Sequence, residues 1–113
     1  MCTKNTLDSI MKRIVEFSKQ EFKNNLESVI LYGSYARGDY DDDSDIDVMI
    51  LLNLPKDSLE NYISSVTKKM SRLSLEYDVV ISVVLKDIET FNHYVDTVPF
   101  YKNVEREGKR IAV

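Results

Sequence analysis

Cysteine is all but missing: Cys2 is the only one among 113 residues. A disulfide framework and a multi-cysteine zinc site are both excluded, and Cys2 reads as a free terminal thiol. Also missing is any run of about eighteen apolar residues, so no membrane-spanning helix is expected. The N-terminus is polar rather than basic-then-apolar, which argues against an export signal and makes the cytoplasm the expected location. Positive charge is in deficit, with 15 Lys and Arg against 19 Asp and Glu and a net charge of −4. A chain of that sign does not hold nucleic acid by general phosphate attraction, so an anionic ligand has to be held locally. The apolar fraction of 43% and charged fraction of 30% are those of an ordinary globular chain. The length allows one core, and the expected organisation is a single domain over residues 1–113.

Periodicity alternates between helix and strand. Leu7, Ile10, Met11, Ile14, Phe17 and Phe22 share a helical face, and with Thr6 as N-cap they predict a helix over 6–23. Apolar runs predict strands at 28–32 and 45–52. Leu54-Pro55 breaks the pattern before Leu59, Tyr62, Ile63, Val66, Met70 and Leu73 mark a second long helix. A third strand is expected over Asp78–Leu85. Another helix follows from Lys86-Asp87 with Ile88, Phe91 and Val95 inward, restarts at Thr97-Val98-Pro99 and is capped by Gly108. The fold class is α/β, a small mixed sheet with helices packed on one face and an acidic cluster on the other.

That cluster belongs to the most informative stretch. Val29-Ile30-Leu31-Tyr32 runs into Gly33-Ser34, and ten residues later Asp45-Ile46-Asp47 opens the next apolar run. Side chains alternate along a strand, so Asp45 and Asp47 face one side and Ile46 and Val48 the other. Two residues span roughly 6.6 Å of strand, and carboxylates at that spacing can lean over two divalent ions ~3.5–4 Å apart. Gly33 leaves the backbone open to a phosphate, and Ser34 adds a hydroxyl that serves equally as a helix cap. The amides of Tyr35-Ala36-Arg37 are expected to point at the same anion. Arg37 reads equally well as a phosphate ligand or as the partner of a nearby aspartate.

Two competing motifs fail on the same letters. Gly33 and Gly38 have P-loop spacing, but Asp39-Tyr40 stands where Lys and Ser or Thr would grip phosphate and Mg²⁺. The acid run Asp39, Asp41, Asp42, Asp43 has no register that puts glycine at the sixth and Glu at the twelfth position of a calcium loop.

Gly-Ser, ten residues, Asp-x-Asp, with Arg37-Gly38 and Ser44 between, resembles the signature of the polymerase-β-like nucleotidyltransferases. In particular it resembles their minimal, single-domain members, the MntA-like antitoxins. The resemblance covers about residues 28–85. It implies a triphosphate held at Gly33, Ser34 and Arg37, Mg²⁺ (two ions) on Asp45 and Asp47, and ATP as substrate. It also implies a third carboxylate on a neighbouring strand, best matched by Asp78, which would hold a metal and accept the proton of the attacking hydroxyl.

Larger relatives of that kind carry an acceptor-binding domain, for which this chain has no room. The acceptor is then expected on another protein or at an oligomer interface. By resemblance, the activity is transfer of AMP to a partner HEPN-domain toxin, an antitoxin acting by adenylylation. A non-catalytic antitoxin that masks its partner, and a small-molecule nucleotidyltransferase of the aminoglycoside-modifying kind, are the alternatives. His93 reads as a surface residue. The basic stretch Lys102, Arg106, Lys109, Arg110 beside Tyr101 reads as a solvated face before a nucleotide contact.

Overall fold

The computed structural model describes residues 3–112, and Cys2 lies outside them. Helix α1 spans Lys4–Phe22. It starts two residues before the expected point, because the Thr3 side chain accepts the Thr6 amide at 3.1 Å and caps the first turn. Strand β1 (Leu26–Tyr32) runs antiparallel to β2 (Ile46–Leu52), with Tyr32 opposite Asp47. Helix α3 (Glu60–Tyr77) then carries the chain back to β3 (Ile81–Asp87), which pairs parallel to β2. Helices α4 (Ile88–Tyr94) and α5 (Pro99–Glu107) follow, and β4 (Lys109–Ala112) closes on β1 in antiparallel fashion. The sheet order is β3-β2-β1-β4.

Strand β2 is central and covered on both faces, which is why apart from Asp47 it is an unbroken apolar run. Ile46, Val48, Ile50 and Leu52 pack against Ile10 and Ile14 of α1 and Val66, Met70 and Leu73 of α3. Each such buried side chain contributes ~1.5–3 kcal/mol. The two long helices thus share one face, as expected. The short helices correct the expected one-faced packing: Phe91 of α4 and Val104 of α5 pack with Ile30, Met49 and Leu51 on the opposite face. That second cluster stops short of Asp47, and the beginning of β2 stays accessible there.

Two boundaries differ from the sequence reading. Helix α3 continues to Tyr77, and Asp78, expected to open β3, is instead its C-cap in the left-handed conformation, φ 53° and ψ 52°. The amides of Asp78 and Val79 both donate to the Ser74 carbonyl, closing the helix end before the strand can begin. Asp tolerates that conformation better than the β-branched residues that follow it. Residues 109–112, for which no strand was expected, form β4. Gly108 does cap α5, with φ −70°; glycine is needed there for space, since a Cβ would stand 2.6 Å from Ile30 Cγ2. No helix among the described residues is long and apolar enough to cross a membrane.

Candidate active site

The site is built where β1 ends and β2 begins. Gly33 follows Tyr32 with φ 75° and ψ −157°, a region essentially closed to other residues. Its Cα lies against the Asp47 side chain, so that a Cβ would collide with the carboxylate. Glycine here meets two requirements at once, a backbone reversal and a close approach. One helical turn, α2 (Ser34–Arg37), comes next and ends at Gly38 in the left-handed region, φ 88°. The Ala36 and Arg37 amides both donate to the Gly33 carbonyl at 3.1 Å. Those two donors therefore hold the turn and do not point at an anion, contrary to the expectation from sequence. Tyr35 is buried and stacks on Tyr40 with centroids 4.3 Å apart, which pins the turn to the rest of the loop.

The acidic run between the turn and β2 serves loop geometry. Asp41 Oδ1 accepts from the Asp43 amide at 2.9 Å and from the Ser44 hydroxyl at 3.3 Å, while the Asp41 amide donates to Ser44 Oγ at 3.0 Å. The loop delivers the chain to Asp45, which is exposed, and then to Asp47, which is half-buried. Ile46, between them, donates its amide to the Val80 carbonyl at 2.9 Å and turns its side chain into the core. The two aspartates thus lie on the sheet face that also carries Tyr32.

Electrostatics set Asp47 apart. Burial first, and then the negative charge of Asp45, hold its carboxyl above the ordinary carboxylate range, with Arg37 pulling the other way. Its cross-strand neighbour Tyr32 is raised as well, by burial and then by Asp47. A cation placed between the two carboxylates would relieve this repulsion. Mg²⁺ in particular is held by one or two carboxylates together with substrate phosphates, and Asp45 and Asp47 fit that donor set.

The third carboxylate is not where the sequence reading put it. Asp78 sits on the cap of α3 rather than on β3. The β3 residue beside Asp47 is Ser82. Glu76 pairs with Arg13 in the α1–α3 layer. Asp87 stands opposite Leu52, at the far end of β2. Among the described residues, no group of three or more His, Cys, Asp or Glu side chains converges to hold a metal.

Of the two readings open to Arg37, the structure shows the carboxylate pairing, within the loop and beyond it. Its Nε donates to Asp39 Oδ2 at 3.2 Å, and Nη1 donates to Glu107 Oε2 of α5 at 3.3 Å. The latter bond spans a cleft of about 210 Å³ beside Gly33, into which Phe100 and Asn103 of α5 project. Sequence reasoning missed this wall. The signal in the sequence was an aromatic, Phe100, directly after the helix-starting Pro99. A larger groove, about 540 Å³, lies between α1 and Ile111 on the other face of the sheet. Neither cavity is lined by Asp45 or Asp47, but the smaller one includes Gly33, which packs on the Asp47 carboxylate, so it is the one that adjoins the pair. His93 is exposed, as expected. Of the basic C-terminal stretch, Arg110 donates to Ser28 Oγ at 2.6 Å and pairs with Glu105 at 3.0 Å, a structural role.

Known proteins resemble this chain in sequence and fold. Residues 11–112 match the family model described as nucleotidyltransferase domain. Two proteins of Methanocaldococcus jannaschii, each named "Putative protein adenylyltransferase", are similar: MJ0604 is 34% identical over 90% of this chain and 94% of its own, and MJ0141 is 40% identical over 81% and 94%. The crystal structure of a protein of Sulfolobus solfataricus described as a "putative nucleotidyltransferase" aligns over 90% of this chain and 76% of that one, with 26% identity and a TM-score of 0.58. The antitoxin-containing complex MntA-HpeT shares the fold, with 18% identity, a TM-score of 0.56, and coverage of 90% and 71%. With that match over nearly its whole length, and with the Gly33-Ser34 turn packed against Asp47, the chain belongs to the nucleotidyltransferase family of enzymes.

Proposed function

We propose that this protein is a Mg²⁺-dependent adenylyltransferase that moves AMP from ATP to a hydroxyl of a partner protein, a HEPN-type toxin, and so acts as an antitoxin in the cytoplasm. The observation that carries the reading is Asp47, a half-buried carboxylate crowded by Asp45 and packed against a glycine that leaves room for phosphate. Support for a protein acceptor comes from the names of the two M. jannaschii relatives. Support for a toxin partner comes from the shared fold of the MntA-HpeT antitoxin.

On this reading Asp45 and Asp47 hold the ions, Gly33 lets the phosphate chain approach the backbone, and the Ser34 hydroxyl donates to a phosphate oxygen. Arg37 exchanges Glu107 for a phosphate, keeping its guanidinium charge at the place where negative charge is handled. When bound, Mg²⁺ supplies charge neutralisation at the α-phosphate as pyrophosphate departs. Asp78 lies off the pair, and the reading gives it no part in holding the ions.

The second reading, a non-catalytic antitoxin that masks its partner by contact, is favoured by one observation: Ser82 stands on β3 beside Asp47, where a third carboxylate would complete the cluster. The intact mass of the co-expressed partner decides between them. A gain of one AMP, absent with Asp47→Asn, is the expected result. An unmodified but silenced partner would establish the mask.

A further inference from the structure

Two walls of unlike chemistry face each other across the cleft beside Gly33. One is the turn, with Gly33 and the Arg37 guanidinium; the other is one side of α5 along its length, with Phe100, Asn103 and Glu107. Phe100 keeps 42% of its surface exposed, although it follows a helix-starting proline on a helix whose apolar side is otherwise turned inward to Val104. Its ring is held edge-on to Tyr32 at 5.6 Å, and Tyr101 contacts it at 5.5 Å, so the ring is braced rather than loose. Tyr32 is itself the cross-strand partner of Asp47. The cleft therefore begins where the phosphate-approaching turn ends, and it lies on the β1 side of Asp47.

An exposed, braced aromatic ring suits stacking on a flat heteroaromatic base. The Asn103 amide beside it offers both a donor and an acceptor, the pairing that a base edge requires. We propose that the cleft between Gly33–Arg37 and α5 is the nucleobase subsite, with Phe100 stacking on the base and Asn103 hydrogen-bonding its edge. The inference rests on the adenylyltransferase reading and extends it. The nucleotide enters over β1, and the acceptor is left the β3 side of Asp47, where Ser82 is exposed.

The test is calorimetric titration in Mg²⁺ with two probes, an ATP analogue resistant to α–β cleavage and inorganic tripolyphosphate. Phe100→Ala should weaken the analogue roughly tenfold, within the range lost when a base-stacking aromatic is truncated, and leave tripolyphosphate unchanged. Phe100→Tyr should restore binding, and Asn103→Ala should weaken the analogue severalfold. Unaltered analogue binding in Phe100→Ala, or an equal loss of both probes in a variant whose circular dichroism is native, would overturn the subsite while leaving the functional reading intact. Failure of the wild-type protein to bind either probe would overturn both.

Discussion

Two partly hidden carboxylates lie at opposite ends of the β2–β3 pair, and they have opposite fates. Asp87 is 4% exposed, and burial alone would push its carboxyl up. The Thr90 hydroxyl and amide donate to its Oδ2 at 2.7 and 2.9 Å, and with its own backbone and Lys86 they hold the group below its ordinary range. Its Oδ1 has no partner among the described residues, yet the balance favours the charge. Asp47 is less buried, but no donor to its carboxylate is found among the described residues; burial and the like charge of Asp45 outweigh Arg37, and its carboxyl is raised. Asp87 caps α4 and is accounted for by the fold. A cation between Asp45 and Asp47 would relieve that cost, and a carboxylate perturbed by burial and a like charge beside a cleft marks a candidate site.

The largest effect that can break this contrast is on transfer. Asp45→Asn or Asp47→Asn should lower the rate of AMP transfer by on the order of 10²-fold or more, since metal stabilisation of phosphoryl charge is worth several kcal/mol. Radiolabel transfer from ATP measures it, and near wild-type rates in both variants would remove the pair from the mechanism. Next in size is Gly33→Val, which strains the backbone by ~1–3 kcal/mol and drives a side chain into Asp47. Urea unfolding and nucleotide binding should both suffer; loss of binding at unchanged stability would mean that the turn tolerates a Cβ.

Asp87→Ala should act in the reverse sense to the aspartates of the site. Loss of the cap costs ~0.5–2 kcal/mol, read as a lower urea midpoint, while Mg²⁺-ATP binding by the folded fraction is unchanged. Because its folded carboxyl is lowered, the Asp87 contribution is present above the ordinary carboxylate range and is lost as pH falls through the folded value. Asp78→Asn, which keeps a residue at ease in the left-handed cap, should change stability by less than ~0.5 kcal/mol. A collapse of metal-dependent nucleotide binding in that variant would return Asp78 to the ligand set.

How much of this could be read beforehand follows from the range of the interactions involved. The helix faces, the central strands and the Gly33-Ser34 to Asp45-Asp47 spacing are local periodicities, and they were legible from sequence. The position of Asp78 was not, because Tyr77 versus Asp78 as the last helical residue is decided by how far α3 follows the α1 surface, for which no local letter speaks. The amides of Ala36 and Arg37 were misread because a single helical turn uses its own donors. Strand β4 and the α5 wall of the cleft depend on contacts between residues far apart in sequence, 82 for Arg110 with Ser28 and 70 for Glu107 with Arg37, and four residues carry too little pattern to announce a strand.

The account turns on Asp47 being an unsatisfied charge in the metal-free protein, and thermal unfolding of wild type and Asp47→Asn with and without Mg²⁺ and an ATP analogue tests that most directly. A raised folded carboxyl means that stability falls as pH climbs from the ordinary carboxylate range through the folded value, with the full deficit present above that value. Asp47→Asn should therefore melt slightly above wild type at pH 7 without ligand, should lose that advantage below the ordinary carboxylate range, and should gain little when Mg²⁺ and nucleotide are added, whereas wild type gains. A variant that melts below wild type without ligand and is still stabilised by Mg²⁺ and nucleotide would contradict the account.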